Sequence, residues 1–564
     1  MVRHRRAVGP VAALVVGALL GTGCTPPPGR DPGTDDAGRA PDRAPTTSVG
    51  ASARWRACPE LAREIAGRPA PGTRYDCATV TVPRDWPRPA GPAAATTAAT
   101  VAGPGAGAGP TAATTPTGRS GGADPTGAGG DTGTMEIALL RARAGDQRRR
   151  IGALLVNPGG PGGSGIETAV HLSFGPGSGG LPREVLRRFD VVGFDPRGVG
   201  RSSPVDCIDD RDLDASFGAD PDPVEQRDFD ALVALNRRIG DRCAARYGAD
   251  GLARYATVQA ARDMDAVRAA VGDDKLTYLG YSYGTLLGAT YAQLFPHRVR
   301  ALVLDGAVDP GQDMVAASEG QARGFEQAFR AFAAWCRRTP ARCPIGPDAA
   351  AAARTALAKA RVSPARGRDG REATAGWVFY AIVAALYAQG RWPQLAAALD
   401  ELAGGDPATV FALADAYADR DRRGRYSNMF DAFVAVSCAD EEVRPTPERV
   451  RALQRQWRDR YPLFGGALAT GLLACGQWPG RPDRYPAGPA TGAPPILVIG
   501  TVGDPATPYE QAPRLARMLG VGRLLTWEGE GHTAYPETAC VTRAVNAYLI
   551  DLTAPRDGLR CPPA

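Results

Sequence analysis

From Ile151 onward the chain alternates short apolar runs with segments whose apolar residues recur at helical spacing. The runs Ile151–Val156, Phe189–Phe194, Leu276–Leu279, Val299–Leu304, Pro495–Ile499 and Arg523–Trp527 are short and show no regular polar alternation, which predicts strands buried on both faces. Helical periods cover Ala260–Val271, Thr285–Phe295, Tyr509–Leu519 and Cys540–Leu552. Strands and amphipathic helices in this alternation imply a mostly parallel sheet with helices on both faces. Between Asp309 and Pro494 the strands stop. Helical periods at Gln321–Cys336, Thr374–Gln389, Phe411–Tyr417 and Pro447–Trp457 predict an inserted helical cap over 309–493, with the core formed by 54–308 and 494–564.

Upstream, Cys77–Pro83 and Met135–Arg143 read as two strands of a hairpin. The tract between them, about 88–134, is Ala, Gly, Thr and Pro with almost no large apolar residue; it cannot bury a core and is expected to be a disordered insertion. Residues 24–53 have no apolar period and read as a flexible tether. Residues 1–23 read as an export signal: Arg3, His4, Arg5 and Arg6 precede the apolar Val8–Leu20, which is too short to span a membrane, and small residues follow. Cys24 then stands where a bacterial lipoprotein would be acylated, although Gly21 occupies the position that usually holds leucine; plain secretion is the alternative.

Export changes how the cysteines read. Of 11 cysteines, setting Cys24 aside leaves an even ten, and none forms a C-x-x-C pair or sits at metal spacing from histidine. Five disulfides are expected in an oxidising compartment, with neighbours in sequence paired as 58–77, 207–243, 336–343, 438–475 and 540–561. The net charge of +6 falls to about +3 without the signal's arginines, and no basic run with interleaved aromatics occurs, so nucleic acid is not an expected partner.

The chemistry centres on Gly280-Tyr281-Ser282-Tyr283-Gly284, a sharp turn between a strand and a helix of small apolar residues. That context holds a serine as a nucleophile. The bare pattern carries little weight: with 70 glycines it arises by chance about 0.4 times, and Gly118–Gly122 repeats it inside the low-complexity tract. A serine nucleophile needs a base, an orienting acid and paired N–H donors for the oxyanion. Of four histidines, His532 follows the last strand, in the loop that carries the base in this chain order. His4 lies in the signal, His297 at the far side of the sheet, and His171 could line a cleft. Asp504 follows the penultimate strand and gives the order Ser, Asp, His, while Asp305 after the strand beyond the nucleophile helix is the rival acid. Thr507 either braces the Asp504 loop or lines the site. Pro158-Gly159-Gly160-Pro161-Gly162 follows a buried strand, so the Gly160 and Tyr283 amides are the candidate oxyanion donors.

Taken together, Phe194–Ser202 (FDPRGVGRS), Pro158–Gly162, Gly280–Thr285, Gly503–Pro508 and Gly531-His532 resemble the α/β-hydrolase family of secreted tripeptidyl aminopeptidases, also similar to prolyl iminopeptidases. The resemblance covers about residues 54 to 564 and departs in the tract near 88–134. It implies an α/β-hydrolase fold and a serine exopeptidase that releases short peptides from free N-termini, without a metal or organic cofactor. Such an enzyme must hold an ammonium group, and Asp440, Glu441 and Glu442 are the candidates, against a plain reading as a solvated acidic turn. An esterase or lipase using the same Ser282, Asp504 and His532, or a binding protein on a hydrolase scaffold, are the competing functions.

Overall fold

A computed structural model describes residues 46–47, 52–87 and 133–563. The export signal, Cys24, most of the tether and nearly all of the 88–134 tract lie outside the described residues.

Nine strands build the sheet that positions the site: β1 (Tyr75–Pro83), β2 (Thr134–Ala142), β3 (Gly152–Asn157), β4 (Phe189–Phe194), β5 (Leu276–Tyr281), β6 (Val299–Asp305), β7 (Ile496–Gly503), β8 (Gly522–Glu530) and β9 (Leu559–Cys561). Their spatial order is β1-β2-β4-β3-β5-β6-β7-β8-β9. The β1–β2 and β2–β4 pairs are antiparallel and the rest are parallel. Thr46–Thr47, inside the expected tether, adds a parallel edge to β1, and Arg56–Ala57 adds an antiparallel one.

Burial explains the apolar runs. Ala153 and Leu155 of β3 pack into one core, Leu154 and Val156 into the other, so both faces of the strand are dry. The helices that matter below are α1 (Gly165–Leu172), α2 (Thr257–Ala270), α3 (Tyr283–Leu294), α4 (Met314–Arg338), α5 (Ala375–Leu386), α6 (Ala408–Ala418), α7 (Met429–Asp440) and α8 (Ala539–Asp551). Apolar residues of α1 and α8 pack with Leu154 and Val156 on one face of the sheet, those of α2 and α3 with Ala153 and Leu155 on the other, and this latter core continues into α5 and α7.

The excursion between β6 and β7 is helical, as its periodicity predicts, apart from a two-stranded ribbon pairing Ala365–Arg366 with Glu372–Ala373. The cap also draws on residues that the sequence assigns to the core. Helix Asp210–Gly218 packs on α5, with Phe217 5.0 Å from Phe430 and stacked on Trp377, and Asp222 binds Arg458 and Gln454. No periodicity links 210–247 to the cap; the attachment is made by tertiary contacts.

All five expected disulfides are present: Cys58–Cys77, Cys207–Cys243, Cys336–Cys343, Cys438–Cys475 and Cys540–Cys561. Their density fits an oxidising compartment. Among the described residues no helix is long and apolar enough to cross a membrane.

Candidate active site

β5 runs into Ser282, which adopts φ 55° and ψ −124°, and α3 begins at the next residue. Close approach demands the flanking glycines: a Cβ on Gly280 would strike the Gly284 carbonyl, and one on Gly284 would sit 2.9 Å from the Asn157 carbonyl oxygen. The Ser282 amide donates to the Asp305 carbonyl at 2.9 Å. Its own carbonyl accepts the Thr285 amide at 2.8 Å and the Thr285 hydroxyl at 2.7 Å. The turn is therefore pinned on both sides. Ser282 stays half-buried between the buried Tyr281 and Tyr283.

Asp504 and His532 lie on the loops that leave β7 and β8. His532 Nδ1 stands 2.9 Å from each oxygen of Asp504, and the two side chains are 2% and 0% exposed. A carboxylate at Nδ1 holds that nitrogen protonated and leaves Nε2 to exchange a proton with a nucleophile. Asp504 is itself fixed by the Ala506 and Thr507 amides at 2.9 and 2.8 Å and by the Thr507 hydroxyl at 3.0 Å. Thr507 thus braces the loop, the first of the two roles its position allowed.

The rival acid Asp305 is occupied elsewhere. Its oxygens accept the Ala534 amide at 3.0 Å and the Tyr535 amide at 2.7 Å, two and three residues beyond His532. Burial pushes its pKa up to about 7. Asp305 holds the backbone of the histidine loop, while Asp504 meets the imidazole. His171, in the last turn of α1, has its pKa lowered by burial, and His297 sits beside Gly492, away from the elbow.

The glycine loop after β3 lies on the elbow. Gly159, Gly160 and Gly162 have φ of 95°, 106° and 104°, a region closed to most side chains. A Cβ on Gly159 would be 2.8 Å from Ser282 Cβ and 3.0 Å from the Tyr283 nitrogen. Tyr283 is the first residue of α3, so its amide has no acceptor within the helix. Among the described residues the Gly160 amide has no backbone acceptor outside regular elements. Of the two candidate oxyanion donors, the Tyr283 amide adjoins the serine and the Gly160 amide follows Gly159, the glycine packed against it.

Two members of the FDPRGVGRS motif are structural: Asp195 anchors the segment that follows this loop, and Arg197 ties the chain after β1 to α2, roles the sequence pattern did not disclose. Asp195 accepts the Ser164 hydroxyl at 2.6 Å and the Ile166 amide at 3.2 Å, tying down the start of α1. Arg197, fully buried, makes two 2.7 Å hydrogen bonds to the equally buried Asp263 and donates to the Arg84 and Arg254 carbonyls. Its charge and its donors are matched, the condition under which a buried ion pair is tolerated.

The three candidate carboxylates at the end of α7 have different surroundings. Asp440 is 4% exposed and spends its oxygens on the Thr257 amide at 2.8 Å and the Thr257 hydroxyl at 2.6 Å. The same hydroxyl lies 2.6 Å from the Tyr283 phenol. Asp440 is thus a strut from the cap through α2 to the residue after Ser282, with both carboxylate oxygens committed to Thr257. Glu442 is exposed. Glu441 is half-buried, and its contacts with the Met314 amide (3.2 Å) and Arg484 (3.5 Å) both use Oε2, leaving Oε1 uncommitted.

Burial pushes the Asp440 pKa up to about 8, with the Glu441 charge adding to the rise. An unfolded aspartate titrates near 3.9, so between about pH 4 and pH 8 folding takes up a proton. Stability from this group is full below pH 4 and is lost as pH rises to about 8, at up to about 1.4 kcal/mol per unit. Asp440→Asn, which cannot ionise, should therefore gain on the wild type in melting temperature between pH 5 and pH 9. Thermal melts of both proteins across that range check it, and a constant gap would mean that Asp440 is ionised in the fold.

Residues 152–539 match the family model of the alpha/beta hydrolase fold. The chain is 41% identical over 443 residues to a protein named serine protease Hip1 of Mycobacterium tuberculosis, covering 75% of this chain and 83% of that one. It is 37% identical over 445 residues to carboxylesterase B of the same species, covering 76% and 83%. It is also 32% identical over 428 residues to a tripeptidyl aminopeptidase of Streptomyces lividans, covering 74% and 78%. With the strand order, the elbow and these similarities together, the chain belongs to the α/β-hydrolase fold family, among the serine hydrolases that include the tripeptidyl aminopeptidases.

Proposed function

We propose that this protein is an exported serine exopeptidase that releases short peptides, of about three residues, from free N-termini. The observation that carries the reading is the dry His532–Asp504 pair, with Nδ1 2.9 Å from the carboxylate, on the loops beside the Ser282 elbow. Ser282 Oγ attacks the scissile carbonyl, His532 Nε2 takes its proton and delivers it to the leaving amine, and Asp504 keeps the imidazole oriented. The Gly160 and Tyr283 amides hold the oxyanion of the tetrahedral intermediate. Every role falls to a side chain or a backbone amide. The relatives named tripeptidyl aminopeptidase and serine protease support a peptide substrate. Export is supported by the five disulfides, and a lipid anchor at Cys24 completes the proposed placement.

Glu441 is the proposed ligand of the substrate's ammonium group, through Oε1. Free and N-acetylated forms of one peptide test both ideas, with products read by mass spectrometry. The free peptide should lose an N-terminal fragment, and acetylation should lower kcat/KM by roughly tenfold or more, as loss of a charged hydrogen bond does. Glu441→Gln should erase that discrimination by raising KM for the free peptide. Equal rates on the two forms would instead favour the second reading, an esterase, for which the similarity to a protein named carboxylesterase B speaks.

A further inference from the structure

A line of aromatic rings crosses the cap from the histidine to the oxyanion loop. Tyr387 presents its ring edge-on to His532 with centroids 5.3 Å apart, and its carbonyl accepts the His532 amide at 2.8 Å. From there the contacts run Tyr387–Tyr417 (6.1 Å), Tyr417–Tyr380 (5.6 Å), Tyr380–Phe217 (4.9 Å), Phe217–Phe430 (5.0 Å) and Phe430–Phe433 (5.7 Å). The far end is fixed against the catalytic core. A Cβ on Gly162 would strike the Met429 carbonyl and would lie 3.1 Å from the Phe433 nitrogen, so the first turn of α7 rests on the glycine loop.

Burial separates the backing of this wall from its surface. Phe217 is 1% exposed and lies behind, whereas Tyr380, Tyr387, Tyr417 and Phe430 are half-buried and Phe433 is 39% exposed. An aromatic side chain left this open would ordinarily be covered, because each ring buries a large apolar area and gains further from edge or offset contact with another ring. Both ends of the row are anchored to the groups that handle the scissile bond. The half-buried residues of the row stand between those two anchors.

We propose that Phe433 and Phe430 receive an aromatic side chain on the acyl side of the scissile bond, the part that is released. The acyl side is assigned because the first turn of α7, which carries these two rings, packs with its backbone on the glycine loop that bears the proposed oxyanion donor. This inference rests on the serine-exopeptidase reading for its natural substrate, but not for its test. Contacts of an incoming ring with Phe433 and Phe430 supply specificity for aromatic over small side chains of about tenfold.

The test reads Ser282 directly. Three fluorophosphonates differing only in the arm on phosphorus (methyl, hexyl or benzyl) label the serine: the Oγ–P bond forms, fluoride leaves, and the serine proton passes to His532. The benzyl probe should react about tenfold faster than the methyl probe in the wild-type protein. That ratio should drop several-fold in Phe433→Ala and be partly kept in Phe433→Leu, whose exposed position makes both variants tolerable to the fold. Equal benzyl and methyl rates, a hexyl rate matching benzyl, or a ratio untouched by Phe433→Ala would each overturn the proposal. Peptides H-Ala-Ala-Phe-X and H-Ala-Ala-Ala-X are run in parallel. If neither is cut while the labelling ratio persists, the exopeptidase reading fails and the aromatic subsite stands.

Discussion

Ser282→Ala is expected to lower kcat on a fluorogenic tripeptide by about 10⁶-fold, the scale seen when a serine nucleophile is removed from an intact triad. The loss should come without unfolding, because the hydrogen bonds that shape the elbow use the Ser282 backbone and not its side chain. The backbone itself supplies a second readout. At φ 55° and ψ −124° an L-residue is strained by about 1–3 kcal/mol. Alanine keeps that strain and glycine releases it. Ser282→Gly should therefore be as inactive as Ser282→Ala yet melt higher, by about 1–2 °C in a chain of this size. Turnover of Ser282→Ala within tenfold of wild type would remove the serine from the mechanism. Equal melting of the two variants would show that the turn is relaxed.

Asp504→Asn is expected to cost about 10⁴-fold in kcat with little change in KM, since the amide cannot hold Nδ1 as the protonated nitrogen and Nε2 as the free one. The nearby Asp305 gives this experiment its force. It is a second buried carboxylate beside the histidine loop, and sequence order alone allows it to serve as the acid. Its oxygens, however, already accept the Ala534 and Tyr535 amides. Rescue would require it to abandon two buried N–H groups, at about 1–3 kcal/mol each. Asp305→Asn should consequently lower stability more than it lowers kcat. Steady-state kinetics and melts of the two variants decide the assignment: if Asp305→Asn shows the larger kcat loss, the roles are reversed.

Much of the core and the chemistry was legible along the chain. The buried strands declare themselves because a strand covered on both faces leaves no polar position to alternate. Ser282, Asp504 and His532 were reachable because each stands in a turn at the end of such a strand, and turn chemistry is local. Neighbouring cysteines paired in order because each pair bridges elements close in sequence.

Other features could not be read that way. Asp440-Glu441-Glu442 looks like one acidic turn, and only the passage of α7 across the elbow separates a buried strut, a half-buried carboxylate and an exposed one. Asp305 and Asp504 both follow apolar strands; the register in which the histidine loop returns over the sheet decides which one meets the imidazole. The aromatic row gathers rings from residues 217, 380, 387, 417, 430 and 433, which no periodicity connects.

The sequence by itself determined most of the core elements, the elbow, the chain order of the candidate serine, aspartate and histidine, and the compartment chemistry of the cysteines. The tertiary structure alone decided which carboxylates are open and which are struts. The physical reason is one of range: propensity, periodicity and turn geometry act over a few residues. Burial and hydrogen-bond partnership depend on surfaces that meet only when the cap is laid across the sheet.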